Sequence, residues 1–115
     1  MDVRATARYL PISPRKIRLV CDQVRGMDAD QALTVLRFMP QKGARFVSKL
    51  IESAIANAET NFELNRRDLY VSYLVANEGP RLKRMKAGAR GRYKPRVKRM
   101  SHLVVVLTER QEEEA

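Results

Sequence analysis

Apolar residues recur along the chain in two periods. From Val3 to Leu10 they alternate, with Val3, Ala5, Ala7 and Tyr9 on one side and Arg4, Thr6 and Arg8 on the other, the pattern of a strand with one wet, basic face. Pro11 ends it. Ser13-Pro14 then places an N-cap before a proline at the first helical position, where its missing N–H costs nothing. Ile17, Val20, Cys21 and Val24 follow at i, i+3, i+4, i+7, predicting a helix that stops at Gly26. Asp28 and Gln31 stand at capping-box spacing ahead of Ala32, Val35, Leu36 and Met39, a short second helix closed by Pro40. A third helix is predicted from Gln41 to about Phe62, with Ala44, Val47, Leu50, Ile51, Ala54, Ile55 and Ala58 on one face. At 1.5 Å per residue it spans about 30 Å, long enough to be the spine of the core. Asn57, Asn61 and Asn65 gather around its C-terminal end, where capping and turn roles are expected and polar contacts to RNA are the alternative. Leu69 to Asn77 and His102 to Thr108 are β-branched, aromatic-rich runs and predict two further strands.

The segment between those last two strands changes the picture. Positions 81–99 hold Arg81, Lys83, Arg84, Lys86, Arg90, Arg92, Lys94, Arg96, Lys98 and Arg99, ten of the 23 Lys and Arg, and none of the 13 Asp and Glu. The other 13 cations balance the 13 carboxylates, so the net charge of +10 belongs to this segment. Like charge at this density repels itself and stays open in water until a polyanion neutralises it, and these are phosphate-binding residue types. Flanking strands and the glycines 79, 88 and 91 predict a β-hairpin extended over 79–99 and turning near Gly88 to Gly91. Each extension of about ten residues projects roughly 33 Å at the strand rise. With so few apolar residues it is expected to be ordered only when bound. Arg15, Lys16 and Arg18 cluster in the first turns of the first helix, where the helix dipole does not favour cations, and a phosphate-facing role is the natural reading there too.

A chain of 115 residues predicts one domain over 1–115 that buries roughly two-thirds of its unfolded surface. With 44% apolar but only 6% aromatic residues and no Trp, the core must come from Leu, Ile, Val, Ala and Met, which favours an α+β arrangement of helices on a small sheet. Cys21 has no internal disulfide partner and reads as a small buried hydrophobe. No apolar run approaches the roughly 20 residues of a membrane span and no apolar h-region follows Asp2, so a cytoplasmic protein is expected. One His and one Cys cannot build a zinc site, and carboxylates never recur at calcium-loop spacing. Ser101 and His102 are neighbours on a strand and point to opposite faces, which excludes a nucleophile–base pair between them; His102 reads as structural or RNA-facing. Gly88-Ala89-Arg90-Gly91 is flanked by cations rather than by strand and helix signals, so it is not a nucleotide loop. No enzyme, metal or cofactor is expected. Glu112, Glu113 and Glu114 predict a flexible acidic tail over 110–115.

Three stretches narrow this further. Ala7-Arg8-Tyr9-Leu10-Pro11-Ile12-Ser13-Pro14-Arg15-Lys16-Ile17-Arg18-Leu19-Val20 is the first, and Ser53-Ala54-Ile55-Ala56-Asn57-Ala58-Glu59-Thr60-Asn61 the second. The third runs from Glu78-Gly79-Pro80-Arg81-Leu82-Lys83-Arg84 through Ala89-Arg90-Gly91-Arg92 to Lys98-Arg99-Met100-Ser101-His102. Together they closely resemble bacterial large-subunit ribosomal protein twenty-two, in the same order and over nearly the whole chain. The resemblance implies three helices packed on a small three-stranded antiparallel sheet, with a long extended basic β-hairpin. It also implies binding to large-subunit rRNA, a globular part near the outer opening of the peptide exit tunnel and a hairpin lining the tunnel wall beside the nascent peptide. Ribosomal protein four of the large subunit is the implied neighbour, in a setting with no membrane and no homo-oligomer. Arg8, Ser13, Pro14, Arg15, Lys16 and Arg18 match the family's rRNA-facing edge, to which Arg4 on the same strand face is added, and Gly79 to Arg99 match the hairpin. Its tip comprises Met85, Lys86, Ala87, Gly88, Ala89, Arg90 and Gly91. Where that family has Pro-Arg before Ala-Arg-Gly, this chain has Ala87-Gly88, and Met100 stands in place of a usual Thr.

Sequence physics alone leaves two other readings open. An architectural DNA-binding protein lays β-arms into the minor groove, usually as a dimer with paired arms, whereas this chain shows one arm and no dimer stripe. A chaperone-like adaptor would instead bind acidic proteins and show no preference for RNA.

Overall fold

The computed structural model describes residues 2–87 and 93–110, those at 80–87 and 93–98 as paired strand backbone. The alternating stretch at the start forms β1 (Asp2–Leu10), the three helical periods form α1 (Pro14–Val24), α2 (Ala29–Arg37) and α3 (Gly43–Phe62), and the two β-branched runs lie within β2 (Leu69–Ala87) and β3 (Tyr93–Glu109). The strands form one antiparallel sheet in the order β1-β3-β2. This is the expected α+β arrangement of three helices on a three-stranded antiparallel sheet. β2 and β3 run well past their apolar parts, their ladder continuing to Ala87↔Tyr93. The expected turn at 88–91 lies outside the described residues.

One core lies between the sheet and the helices. Val47, Ile51, Ala54 and Ala58 of α3 are fully buried, as are Ile17, Val20, Cys21 and Val24 of α1 and Leu69, Val71, Leu74, Leu103, Val105 and Leu107 of the sheet. Every apolar residue assigned to the inner face of α3 is buried. Gly26 closes α1 at φ +88, a conformation in which L side chains are strained. Two hydrogen bonds follow the turn: Gly26 N–H donates to Val71 O at 2.8 Å, and Val71 N–H donates to Met27 O at 2.9 Å, tying the end of α1 to β2.

Four local expectations differ from what is seen. Tyr9 is not on the inward set with Val3 and Ala5: the β1–β3 register slips between Ala7 and Leu10, Tyr9 takes φ 59, and its ring is 59% exposed. A bulge of this kind breaks the strict alternation on which the expectation rested. Asp28 precedes α2 but makes no capping bond; its carboxylate instead accepts from Arg110 Nε at 2.7 Å. α3 starts at Gly43, not Gln41. Arg110, placed at the head of the acidic tail, is anchored: besides Asp28, its guanidinium lies 4.4 Å from the Tyr70 ring centroid and its N–H donates to Asp68 O. The remainder of that tail lies outside the described residues. Asn65, by contrast, fills its turn role, its Oδ1 accepting from Arg67 N–H at 3.1 Å.

Cys21 is buried among the α1 apolar residues, and its desolvation pushes the thiol up to about 11 despite the opposing charge of Arg25. Because the folded-state value is the higher one, this contribution to stability is present below about pH 9 and lost as the pH rises through about 11. At pH 8 the native protein is therefore expected to resist an aromatic disulfide reagent and to react at its single thiol once unfolded in denaturant. Rapid labelling of the native form would show that Cys21 is not held in the core.

Candidate nucleic-acid interface

β1 ends before β3 does. Its pairing reaches only Leu10↔Ser101, so beyond that point β2 and β3 continue as a two-stranded ribbon. The ladder is irregular between Glu78 and Arg81, and there the two backbones come close: a Cβ on Gly79 would stand 3.1 Å from the carbonyl carbon and oxygen of Met100. Only glycine fits without displacing backbone.

Two adjacent β3 residues hold the end of β1 from opposite sides. Ser101 is fully buried and its Oγ donates to Ile12 O at 2.6 Å, which ties the loop before α1 to the root of the ribbon. His102 faces the other way, its Nδ1 accepting the Tyr9 N–H at 3.0 Å; the Tyr9 ring meets it edge-on at 5.0 Å. The bulge that turns Tyr9 outward thus leaves no orphan donor. Both residues act structurally here, on opposite faces as strand alternation predicts.

At this junction Pro11, Ile12, Ser13, Lys16, Lys42 and Arg99 line a depression of about 320 Å³. Its floor is buried Ile12, and its three cations come from α1, the N-cap position of α3 and the base of the ribbon. All three are exposed and no carboxylate among the described residues lines the site, so these residues give it a positive local potential that suits a phosphate approached by several point charges at once. Ser13, Lys16 and Arg99 belong to the residues expected from sequence. Lys42 does not, although a cation at a helix N-terminus is the same anomaly that marked Arg15 to Arg18.

The other expected residues are distributed around this point. Pro14 is buried at the start of α1 and Arg15 beside it is exposed. Arg18 donates from Nε to Ala76 O at 3.1 Å, so part of its hydrogen-bonding capacity ties α1 to β2. Arg4 and Arg8 are exposed on β1, Arg4 opposite Val106. Along the ribbon the register places Arg81 opposite Arg99, Arg84 opposite Arg96 and Lys86 opposite Lys94, with Lys98 opposite Leu82 and Lys83 opposite Val97. Like charges directly opposed across a ladder destabilise it. Three such pairs along the ladder set cation against cation, so the ribbon's own charges oppose its pairing. Met85, Lys86 and Ala87 of the expected tip pair with Pro95, Lys94 and Tyr93. Gly88, Ala89, Arg90, Gly91 and Arg92 lie outside the described residues.

Residues 5–108 match the family model described as ribosomal protein L22p/L17e. Among curated proteins, the chain is 49% identical over 111 residues to the large ribosomal subunit protein uL22 of Finegoldia magna, covering 96% of this chain and 99% of that one. It is 49% identical over 110 residues to that of Chloroflexus aggregans, covering 96% and 97%. To that of Desulfotalea psychrophila it is 50% identical over 109 residues, covering 95% and 99%.

Proposed function

The chain belongs to the ribosomal protein L22p/L17e family, a structural constituent of the large ribosomal subunit in the cytoplasm, and from that premise we propose that it binds large-subunit rRNA through the root and length of its basic ribbon. The globular part sits near the outer opening of the peptide exit tunnel, and the ribbon lines the tunnel wall within reach of ribosomal protein four and the nascent peptide. The observation that carries this reading is the convergence of Lys16, Lys42 and Arg99 in one depression where the ribbon leaves the sheet, with no carboxylate lining it among the described residues. From there the ladder continues with cations opposed to cations. RNA supplies the missing anions. The ribbon cannot read a narrow A-form major groove, so recognition is by shape, phosphates and unpaired nucleotides. The family's role is structural, and the protein acts by binding and shaping RNA during subunit assembly and translation rather than by catalysis.

Binding to large-subunit rRNA is expected to be strongly salt-dependent. If about five cations meet phosphates, log affinity against log salt falls with a slope near −4. Lys16→Gln combined with Lys42→Gln should flatten that slope by about 1.5 while leaving the melting temperature unchanged. A slope near zero, or native assemblies whose size is indifferent to ribonuclease, would reject RNA as the ligand. Equal affinity for duplex DNA of matched length would favour an architectural DNA protein instead.

A further inference from the structure

A second group of cations lies where α2 turns into α3. Arg37, Lys42, Arg45 and Lys49 line a groove of about 590 Å³ in which Glu52 is the only carboxylate among the described residues. All four are exposed. Among the described residues none of the four has a side-chain hydrogen bond or ion pair, whereas Arg25, Arg66 and Arg110 each meet an aspartate. The arrangement works against the helix that carries it. Lys42, Arg45 and Lys49 fall on one face in its first two turns, where like charges three and four residues apart repel and the helix dipole disfavours cations. Among the described residues no ion pair offsets these costs. Phe38, between Arg37 and Met39 in sequence though not itself in the groove lining, is 79% exposed, the most exposed large hydrophobic side chain among the described residues.

We propose that this corner is a second RNA-binding surface, on which an unpaired base stacks against Phe38 while the backbone runs along Lys42, Arg45 and Lys49 with Arg37 facing it. The proposal rests on the rRNA reading above and extends it to residues outside the ribbon and the α1 loop. Lys42 lines both this groove and the depression at the ribbon's root, so the two form one basic track. From Lys42 to Lys49 the track follows α3 for about 10 Å. An exposed aromatic ring next in sequence to Arg37, at the edge of a groove lined by unpaired cations, suits single-stranded or irregular RNA, whose bases can be splayed out and stacked, better than it suits an acidic protein.

The test uses the full chain and large-subunit rRNA in salt titrations. Arg37→Gln, Arg45→Gln and Lys49→Gln together should flatten the log–log slope by about 2 and leave the melting temperature unchanged or slightly raised. Phe38→Ala should lower affinity about five- to a hundredfold at an unchanged slope, because stacking releases no counterions. If the triple variant keeps the parent's slope and affinity while Lys16→Gln with Lys42→Gln lowers both, this second surface is wrong and the rRNA reading stands. If the parent shows no salt-dependent rRNA binding, the rRNA reading falls and this surface with it. Loss of binding to poly-glutamate in the triple variant with rRNA affinity untouched would assign the groove to an acidic protein and overturn the proposal.

Discussion

Ile51→Ala is expected to cost about 2–5 kcal/mol of folding stability and to lower the melting temperature by roughly 10–20 °C. Ile51 is fully buried at the middle of α3, within the cluster that also contains Ile17 of α1 and Val3, Leu74 and Leu103 of all three strands. Truncating it opens a cavity at the place where both layers meet, and the surrounding backbone is held by a sheet on one side and α1 on the other, so little collapse can fill it. Leu19→Ala is the control, because Leu19 is 60% exposed on α1 and its truncation should stay within about 0.5 kcal/mol. Denaturant titration of both variants measures the contrast. A cost below about 1 kcal/mol for Ile51→Ala would mean that α3 is not the spine of the core.

Deleting positions 85–90 should do the opposite, leaving the fold intact and removing a function. Among the described residues, the core cluster contains none between Ala76 and Leu103. The described residues of the deleted segment pair within the ribbon, Met85, Lys86 and Ala87 with Pro95, Lys94 and Tyr93. Shortening a hairpin loop by six residues changes its closure entropy by only tenths of a kcal/mol. The truncated chain is therefore expected to melt within a few degrees of the parent and to enter large subunits, while chemical probing of tunnel-wall rRNA shows altered reactivity. Unfolding of the isolated truncated domain would show that the ribbon supports the body. An unchanged tunnel-wall footprint would remove the ribbon from the tunnel.

How much of this was legible beforehand depends on the range of the interactions involved. The helices lay within two residues of their predicted starts because their signals are local: Ser13-Pro14, the i, i+3, i+4 apolar spacing, Gly26 and Pro40 act within one or two turns. The apolar parts of β2 and β3 were legible for the same reason, and so was the segregation of charge into one segment. The bulge at Tyr9 was not, because a one-residue slip leaves no mark on composition and depends on His102, 93 residues away, accepting the N–H it exposes. Asp28 carried a helix-capping pattern, yet its carboxylate went to Arg110, 82 residues away, once the sheet had brought the two together.

The candidate site divides along the same line. Its ingredients, the ribbon cations and the basic α1 loop, belong to the sequence by itself, as do the fold class and the family resemblance, since each is written in contiguous residues. Tertiary structure decided their register and their company. It set Arg81 against Arg99 and Arg84 against Arg96, brought Lys42 to Lys16 at the ribbon's root, and left Arg37, Arg45 and Lys49 around one groove with no ion pair among the described residues. Periodicity and capping are properties of a few consecutive residues. Which distant side chains meet is settled by burying one shared apolar core, and the polar groups that line the surface are carried to their places by that packing.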